Sequence, residues 1–175
     1  MTIEVHDYDP GWPELARLAV AELAAALPGR LQAIEHVGST AVPGLAAKPV
    51  IDLMAATAAL DAVTAADDVL GRLGYRRLET GMRERLFYRR EGEPAAYHLH
   101  VVTAESWDTR NERLLRDHLL RHPADRDAYG ALKRELAAAG HDGDTYTRAK
   151  TALIQRMVDA ARAGKGLPRV DVWED

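Results

Sequence analysis

Residues 49–56 (PVIDLMAA) constrain the fold most, because they form an almost uninterrupted apolar strand. A strand without polar alternation is typical of the interior of a sheet that is covered on both faces. The exception in this strand is Asp52. An isolated carboxylate is costly there unless it is protonated, bound to a metal ion, or paired, for example with a loop amide. We therefore expect a layered fold around this strand and a specific task for Asp52.

The surrounding pattern predicts an α+β fold, with a mixed sheet flanked by helices and followed by a helical section. Apolar residues at helical spacing define the helices, and the turn signal at 91–94 predicts an antiparallel hairpin. We expect one domain over residues 1–163 and a polar C-terminal tail over 164–175. The predicted helices are 12–27, 60–73, 107–120, 126–139 and 146–163, and the predicted strands are 31–37, 49–56, 75–79, 85–90 and 97–103.

Composition excludes several kinds of chemistry. The 175 residues include no cysteine, which rules out disulfides, thiolate nucleophiles and metal–thiolate sites. Any metal ion must therefore be held by His, Asp or Glu. The net charge of -4 gives no general attraction to nucleic acid or to anionic membranes. No apolar run approaches the ~20 residues that cross a bilayer, and the first residues lack a signal-peptide pattern, so we expect a soluble, cytoplasmic protein.

A Gly-Ser pair after the strand 31–37 predicts an anion site. Gly38 lets the backbone approach a ligand closely, Ser39 offers a hydroxyl, and the amides from Thr40 onward can form an anion nest. Lys48 adds a positive charge at the far end of the loop. Together these residues predict a phosphate site opposite Asp52. An ordinary strand-to-loop turn and a solvated lysine are the alternatives that stay open.

The string 36–54 (HVGSTAVPGLAAKPVIDLM) resembles the GrpB family. The Gly-Ser pair, with twelve residues between Ser39 and Asp52, resembles the signature of the nucleotidyltransferase (DNA polymerase β-like) superfamily that includes this family. The resemblance implies a small mixed sheet with helices and a nucleotidyl-transfer activity. Active members carry a second Asp or Glu on this strand, where Met54 stands here and offers no oxygen to Mg²⁺. Further segments that resemble the family are 97–102, 115–117, 129–133 and 146–150.

This departure from the superfamily pattern predicts a metal site of different composition. His98 and His100 lie two residues apart on a predicted strand, so their side chains share a face. Beside Asp52 they give two imidazoles and one carboxylate, which suit Mn²⁺, Zn²⁺, Ni²⁺ or Fe²⁺ better than Mg²⁺. His36 is a candidate fourth ligand or a group that supports the ligands. The alternative for the two strand histidines is ordinary packing.

Basic side chains supply further candidates for binding phosphate or carboxylate. Arg85 and Arg89 share a strand face with Phe87, and a guanidinium binds either group with two hydrogen bonds. The family resemblance implies that Lys150 points back toward the sheet, on the helix face of Tyr146. A solvated strand face is the alternative for the arginines. The basic cluster also includes Arg83 and Arg90, and weaker candidates are Arg116, Asp117 and Lys133.

These features predict a protein that binds a nucleotide or another phosphorylated or anionic small molecule together with a divalent metal. Nucleotidyl transfer is the reaction that the resemblance implies. Ser39 would bind phosphate, while Asp52, His98 and His100 would hold the metal or act as catalytic acid and base. The alternative is a non-catalytic folding or interaction module, because GrpB-like domains also occur fused to dephospho-CoA kinase.

Overall fold

A computed structural model describes residues 4–82, 84–140 and 143–172, with residues 143–147 and 149 described by their backbone alone. The helices are α1 (Trp12–Ala26), α2 (Leu60–Thr64), α3 (Asp67–Arg72), α4 (Asn111–Arg121), α5 (Pro123–Ala138) and α6 (Gly143–Gly164). The strands are β1 (Ala33–Val37), β2 (Val50–Thr57), β3 (Arg76–Leu78), β4 (Arg85–Arg90) and β5 (Ala96–Thr103). Two 3₁₀ turns lie at Ser39–Ala41 and Ala104–Thr109.

The strands form one mixed sheet in the order β1-β2-β5-β4-β3. β2 pairs in parallel with β5, whereas β1–β2, β4–β5 and β3–β4 are antiparallel. The apolar strand β2 therefore lies inside the sheet, with a neighbour on each side. The predicted α+β fold is confirmed, and so is the antiparallel hairpin of β4 and β5.

The two faces of the sheet carry different chemistry because side chains alternate along a strand. Leu53 of β2 and Leu99 of β5 belong to a core that packs against α1 through Trp12. Asp52 and Met54, which flank Leu53 along β2, have their side chains on the opposite face. Register pairs them with two histidines of β5, so the polar groups of the centre of the sheet share this second face.

The helices α4, α5 and α6 build a second core beside the loop that joins β1 to β2. Leu45 of this loop packs with Leu119 of α4, Tyr129 of α5 and Met157 of α6. The three helices therefore bring their polar side chains to the end of β1. No helix in the described part of the chain is both long enough and apolar enough to cross a membrane.

The helix boundaries differ from prediction where the backbone leaves helical geometry. The helix predicted over 60–73 is two short helices, because Ala66 has φ -106° and ψ 20°. The helix predicted over 107–120 starts as a 3₁₀ turn, and Arg110 with ψ 126° separates this turn from α4. The described part of the C-terminal tail hydrogen-bonds onto α6, where Arg162 Nε donates to the Pro168 carbonyl at 2.6 Å.

Candidate functional site

The site begins where Gly38 lies against Asp52. Val37, the last residue of β1, pairs with Asp52, and Gly38 follows with φ 75° and ψ -177°. A Cβ on Gly38 would lie 2.5 Å from Asp52 Oδ2 and 2.9 Å from Asp52 Cβ. Only glycine therefore fits both the backbone conformation and the space. The chain then turns tightly and presents Ser39 beside the carboxylate.

Asp52, His98 and His100 are brought together by strand register. Asp52 pairs with His98 across β2 and β5, and His100 lies two residues further on the same face. Asp52 Oδ1 lies 3.6 Å from His98 Nδ1 and 3.8 Å from His100 Nε2. Phe87 of β4 packs against both rings, with centroid distances of 5.2 and 5.0 Å. Burial lowers the pKa of His98 more than the charge of Asp52 raises it, which favours the neutral ring.

These three side chains do not fit a metal site as they are placed. Within residues 4–82, 84–140 and 143–172, no group of three or more His, Asp or Glu is arranged to hold a metal ion. Asp52 faces the two rings at ion-pair distances, and Phe87 occupies the side of the rings toward β4. The divalent metal stays a prediction from the sequence.

His36 and Thr40 are used within the protein, away from this group. His36 pairs with Leu53, which packs in the α1 core, so its ring lies on the opposite face from Asp52. Its Nε2 lies 2.9 Å from Thr40 Oγ1, which donates to the Val50 carbonyl at 2.9 Å. Burial lowers the pKa of His36 to about 4. The structure therefore places the His36 ring on the other face from the Asp52, His98 and His100 side chains, and it commits the Thr40 hydroxyl to holding the loop.

A cavity of about 210 Å³ lies on the other side of Asp52 and carries cationic groups. Asp52 of β2 and the turn at Gly38 and Ser39 line it, together with Glu112 and Arg116 from α4 and Lys150 from α6. Burial and the nearby Lys48 lower the pKa of Lys150 to about 8, while Asp52 opposes that shift.

Of the further basic candidates, Arg116 has a defined position in the wall of this cavity. Arg116 Nη1 lies 2.8 Å from Glu35 Oε1 and 3.0 Å from the His36 carbonyl, which fixes its guanidinium. Arg116 Nη2 also lies 2.9 Å from Asp117 Oδ1. Lys48 is exposed and acts through its charge on Lys150. The side chain of Tyr146 and all of Arg83 lie outside the described residues.

Lys133 is the important residue that sequence reasoning underrated. It is 4% exposed, and its Nζ donates to Ser39 Oγ and, at 3.3 Å, to the Ala46 carbonyl. Its Nζ also lies 4.3 Å from the centre of the Tyr129 ring. Burial and the charges of Lys150 and Lys48 hold the pKa of Lys133 well below its usual range. The available signal was a lysine four residues after Tyr129 on the apolar stripe of a helix.

Arg85 belongs to a second cavity of about 300 Å³, which adjoins the first at Gly38 and Asp52. Arg85 Nη1 lies 2.7 Å from Glu112 Oε1 and 3.5 Å from His100 Nδ1. Glu112 lines both cavities and was not a candidate in the sequence. Arg85 thus lies on the same face of the sheet as Asp52 and His100, as the alternation of side chains along its strand predicts. Arg89 pairs in register with His98 on this face and contacts Glu91, whereas Arg90 reaches Glu22 of α1.

Comparison with known proteins decides the family. The GrpB protein family matches residues 2–160. The chain belongs to the GrpB family. A UPF0157 protein of Halalkalibacterium halodurans is 33% identical over 167 residues, which cover 93% of this GrpB chain and 84% of the relative. The crystal structure of GrpB from Enterococcus faecalis matches with a TM-score of 0.85 at 29% identity and covers 93% of this chain and 99% of that one. The GrpB fold is thus shared over almost the whole length.

Two further similarities reach less far. A dephospho-CoA kinase of Mycolicibacterium paratuberculosis is 32% identical over 171 residues, which cover 81% of this chain but only 42% of the kinase. The Cid1 poly(U) polymerase aligns with a TM-score of 0.44 at 13% identity. A likeness that distant decides neither the activity nor the ligand of this protein.

Proposed function

We propose that this GrpB protein binds a phosphorylated small molecule in the cavity between Ser39 and Lys150. A nucleotide is the ligand that the sequence resemblance favours. The observation that carries the proposal is that the Ser39 hydroxyl and the Lys150 ammonium line one cavity, with the Arg116 guanidinium, held by Glu35 and Asp117, in its wall. Charged donors of this kind form the strongest hydrogen bonds that proteins offer to phosphate oxygens.

The electrostatics of the cavity support the same ligand. Lys48 lowers the pKa of Lys150 because two ammonium groups repel each other across a partly buried space. A pKa of about 8 still leaves Lys150 mostly protonated at pH 7. A phosphate bound between the two lysines would offset this repulsion. We therefore expect the phosphate end of the ligand to lie toward Ser39 and the lysines.

The face beside Asp52 supports nucleotidyl transfer less well than binding. Met54 is fully buried among Val37, Val102 and Trp107, so the position of the second superfamily carboxylate serves packing. Mg²⁺ in nucleotide sites is commonly held by one or two carboxylates together with the substrate phosphates. Asp52 is the residue of this chain that suits such a role. We therefore expect any divalent ion to bind with the nucleotide rather than to the free protein.

Thermal unfolding with inorganic phosphate, pyrophosphate and ATP tests the proposal. A ligand at 100 times its Kd stabilises the folded state by about 2.7 kcal/mol, which corresponds to a Tm rise of roughly 5–10 °C for a chain of this size. Lys150→Met should abolish most of this rise. Lys165→Met is the matched control, because Lys165 is exposed and lines a different cavity. An unchanged Tm at millimolar concentrations of all three ligands would refute binding.

A non-catalytic folding or interaction module is the second candidate function. It is favoured by the similarity to the mycobacterial dephospho-CoA kinase, in which the matching part is less than half of the enzyme. Such a module would have a Tm that nucleotides and divalent metals leave unchanged. It would also release no pyrophosphate from nucleoside triphosphates. Thermal unfolding with phosphate, pyrophosphate and ATP therefore separates the two functions.

A further inference from the structure

We propose that Ser39 is a nucleophile activated by Lys133, and that it accepts a phosphoryl group from the ligand in the cavity. The inference rests on the proposed binding of a phosphorylated molecule. It adds a covalent step that binding alone does not require.

The order of the groups in space favours this chemistry. Ser39 lines the cavity, and Lys133 Nζ contacts Ser39 Oγ. Lys133 is itself buried, at 4% exposure, and is not part of the cavity wall. The hydroxyl therefore lies between a buried amine and the space where a ligand would bind. Serine–lysine pairs with this arrangement are an established way to activate a hydroxyl.

The surroundings of Lys133 disfavour its ammonium form. Lys150 of α6 and Lys48 of the loop add positive charge, Asp52 of β2 adds negative charge, and burial outweighs that one carboxylate. A neutral amine has two N–H groups and one lone pair. In the structure Lys133 Nζ donates to both Ser39 Oγ and the Ala46 carbonyl. Once Lys133 has lost a proton, its lone pair can take the place of the donated hydrogen and accept the hydrogen of the Ser39 hydroxyl.

The step balances without a further reactant. The Ser39 hydroxyl proton moves to Lys133 Nζ as the Oγ–P bond forms, and the bond between phosphorus and the leaving oxygen breaks. The leaving oxygen lies opposite Oγ, so it takes its proton from Lys150, which lines the cavity, while Lys133 keeps the serine proton. Proton exchange with solvent then restores both lysines. Lys150 and Arg116, which line the same cavity, are placed to neutralise the charge on the phosphoryl oxygens.

Labelling with an alkyl fluorophosphonate tests Ser39 directly. In this reaction the Oγ–P bond forms, the P–F bond breaks and fluoride leaves, so an activated serine is marked permanently. The sequence contains two serines, Ser39 and Ser106, which makes the second an internal control. Ser106 Oγ donates to the Thr103 carbonyl and accepts from Arg110 Nε, and Lys133 is not among its partners. Peptide mass spectrometry should find the label on Ser39 and none on Ser106.

Two variants separate activation from folding. Ser39→Ala should abolish labelling. Lys133→Met, which keeps the length and apolar character of the buried stem, should slow it by about 100-fold or more, the usual range for a general base. If Lys133→Met fails to fold, the wild-type labelling pattern still decides, because an unlabelled Ser39 or equal labelling of both serines overturns the proposal. A protein that binds phosphate but leaves Ser39 unlabelled would refute the nucleophile and preserve the proposed function. Labelling of Ser39 in a protein that binds no phosphate would preserve the nucleophile and refute the proposed function.

Discussion

Gly38→Ala should destabilise the protein far more than a typical glycine substitution, because two separate costs meet at this residue. With φ 75° and ψ -177°, Gly38 lies in a backbone region that is essentially restricted to glycine, which costs about 1–3 kcal/mol for alanine. The new Cβ would also lie 2.9 Å from Asp52 Cβ. Rotation of the Asp52 side chain cannot move its own Cβ, so the strands must shift, at about 1–3 kcal/mol for overpacking. The sum is roughly 2–6 kcal/mol, against the 5–15 kcal/mol typical of a domain.

Equilibrium unfolding in urea, followed by tryptophan fluorescence, measures this loss. Gly29→Ala is the matched control, because Gly29 has φ 76° and nothing within 4 Å of an added Cβ. It should cost only the backbone part, roughly 1–2 kcal/mol. Gly38→Ala should also weaken phosphate binding, since the turn that presents Ser39 would move. Equal destabilisation by the two substitutions would refute the argument that Asp52 requires glycine at position 38.

Three further outcomes follow from the titration and metal chemistry. Burial lowers the pKa of folded His36 from 6.5 to about 4, so the unfolded chain alone gains a proton as pH falls between these values. Urea midpoints should therefore fall over this window in the wild type and less in His36→Gln, and parallel curves would contradict this account. Phosphate affinity should weaken as pH rises through about 8, where Lys150 loses its charge, and Lys150→Met should lack this step in calorimetric titrations. Metal analysis after loading with Mn²⁺ or Zn²⁺ should find negligible and equal occupancy in the wild type and in a His98→Ala/His100→Ala variant, whereas one ion per wild-type chain alone would restore the predicted metal site.

The central sheet could be predicted from the sequence because its signals are local. The apolar run around Asp52 marks an interior strand, and alternation places His98 and His100 on one face whatever the partner strand is. The position of Arg85 on this face could be predicted from the same alternation. His36 shows the limit of this rule. Val37 pairs with Asp52, so His36, one residue earlier in β1, has its ring on the α1 side of the sheet.

The cationic side of the site depends on contacts that sequence periodicity does not reveal. Ser39 and Lys133 are 94 residues apart, and only the packing of α5 against the loop after β1 brings them together. Glu112 of α4 likewise meets Arg85 of β4 only through a tertiary contact between these two elements. A lysine on an apolar stripe signals an unusual environment, but its partner is set by the tertiary fold.

The most direct test of the account is a crystal structure of the protein soaked with phosphate or with its heavier analogue tungstate. We expect an ordered anion within hydrogen-bond distance of Ser39 Oγ and Lys150 Nζ, beside the turn at Gly38. An anion bound instead in the separate cavity lined by Arg121 and Lys165 would contradict the proposed site. So would a cavity at Ser39 without any anion, at concentrations that saturate the thermal shift.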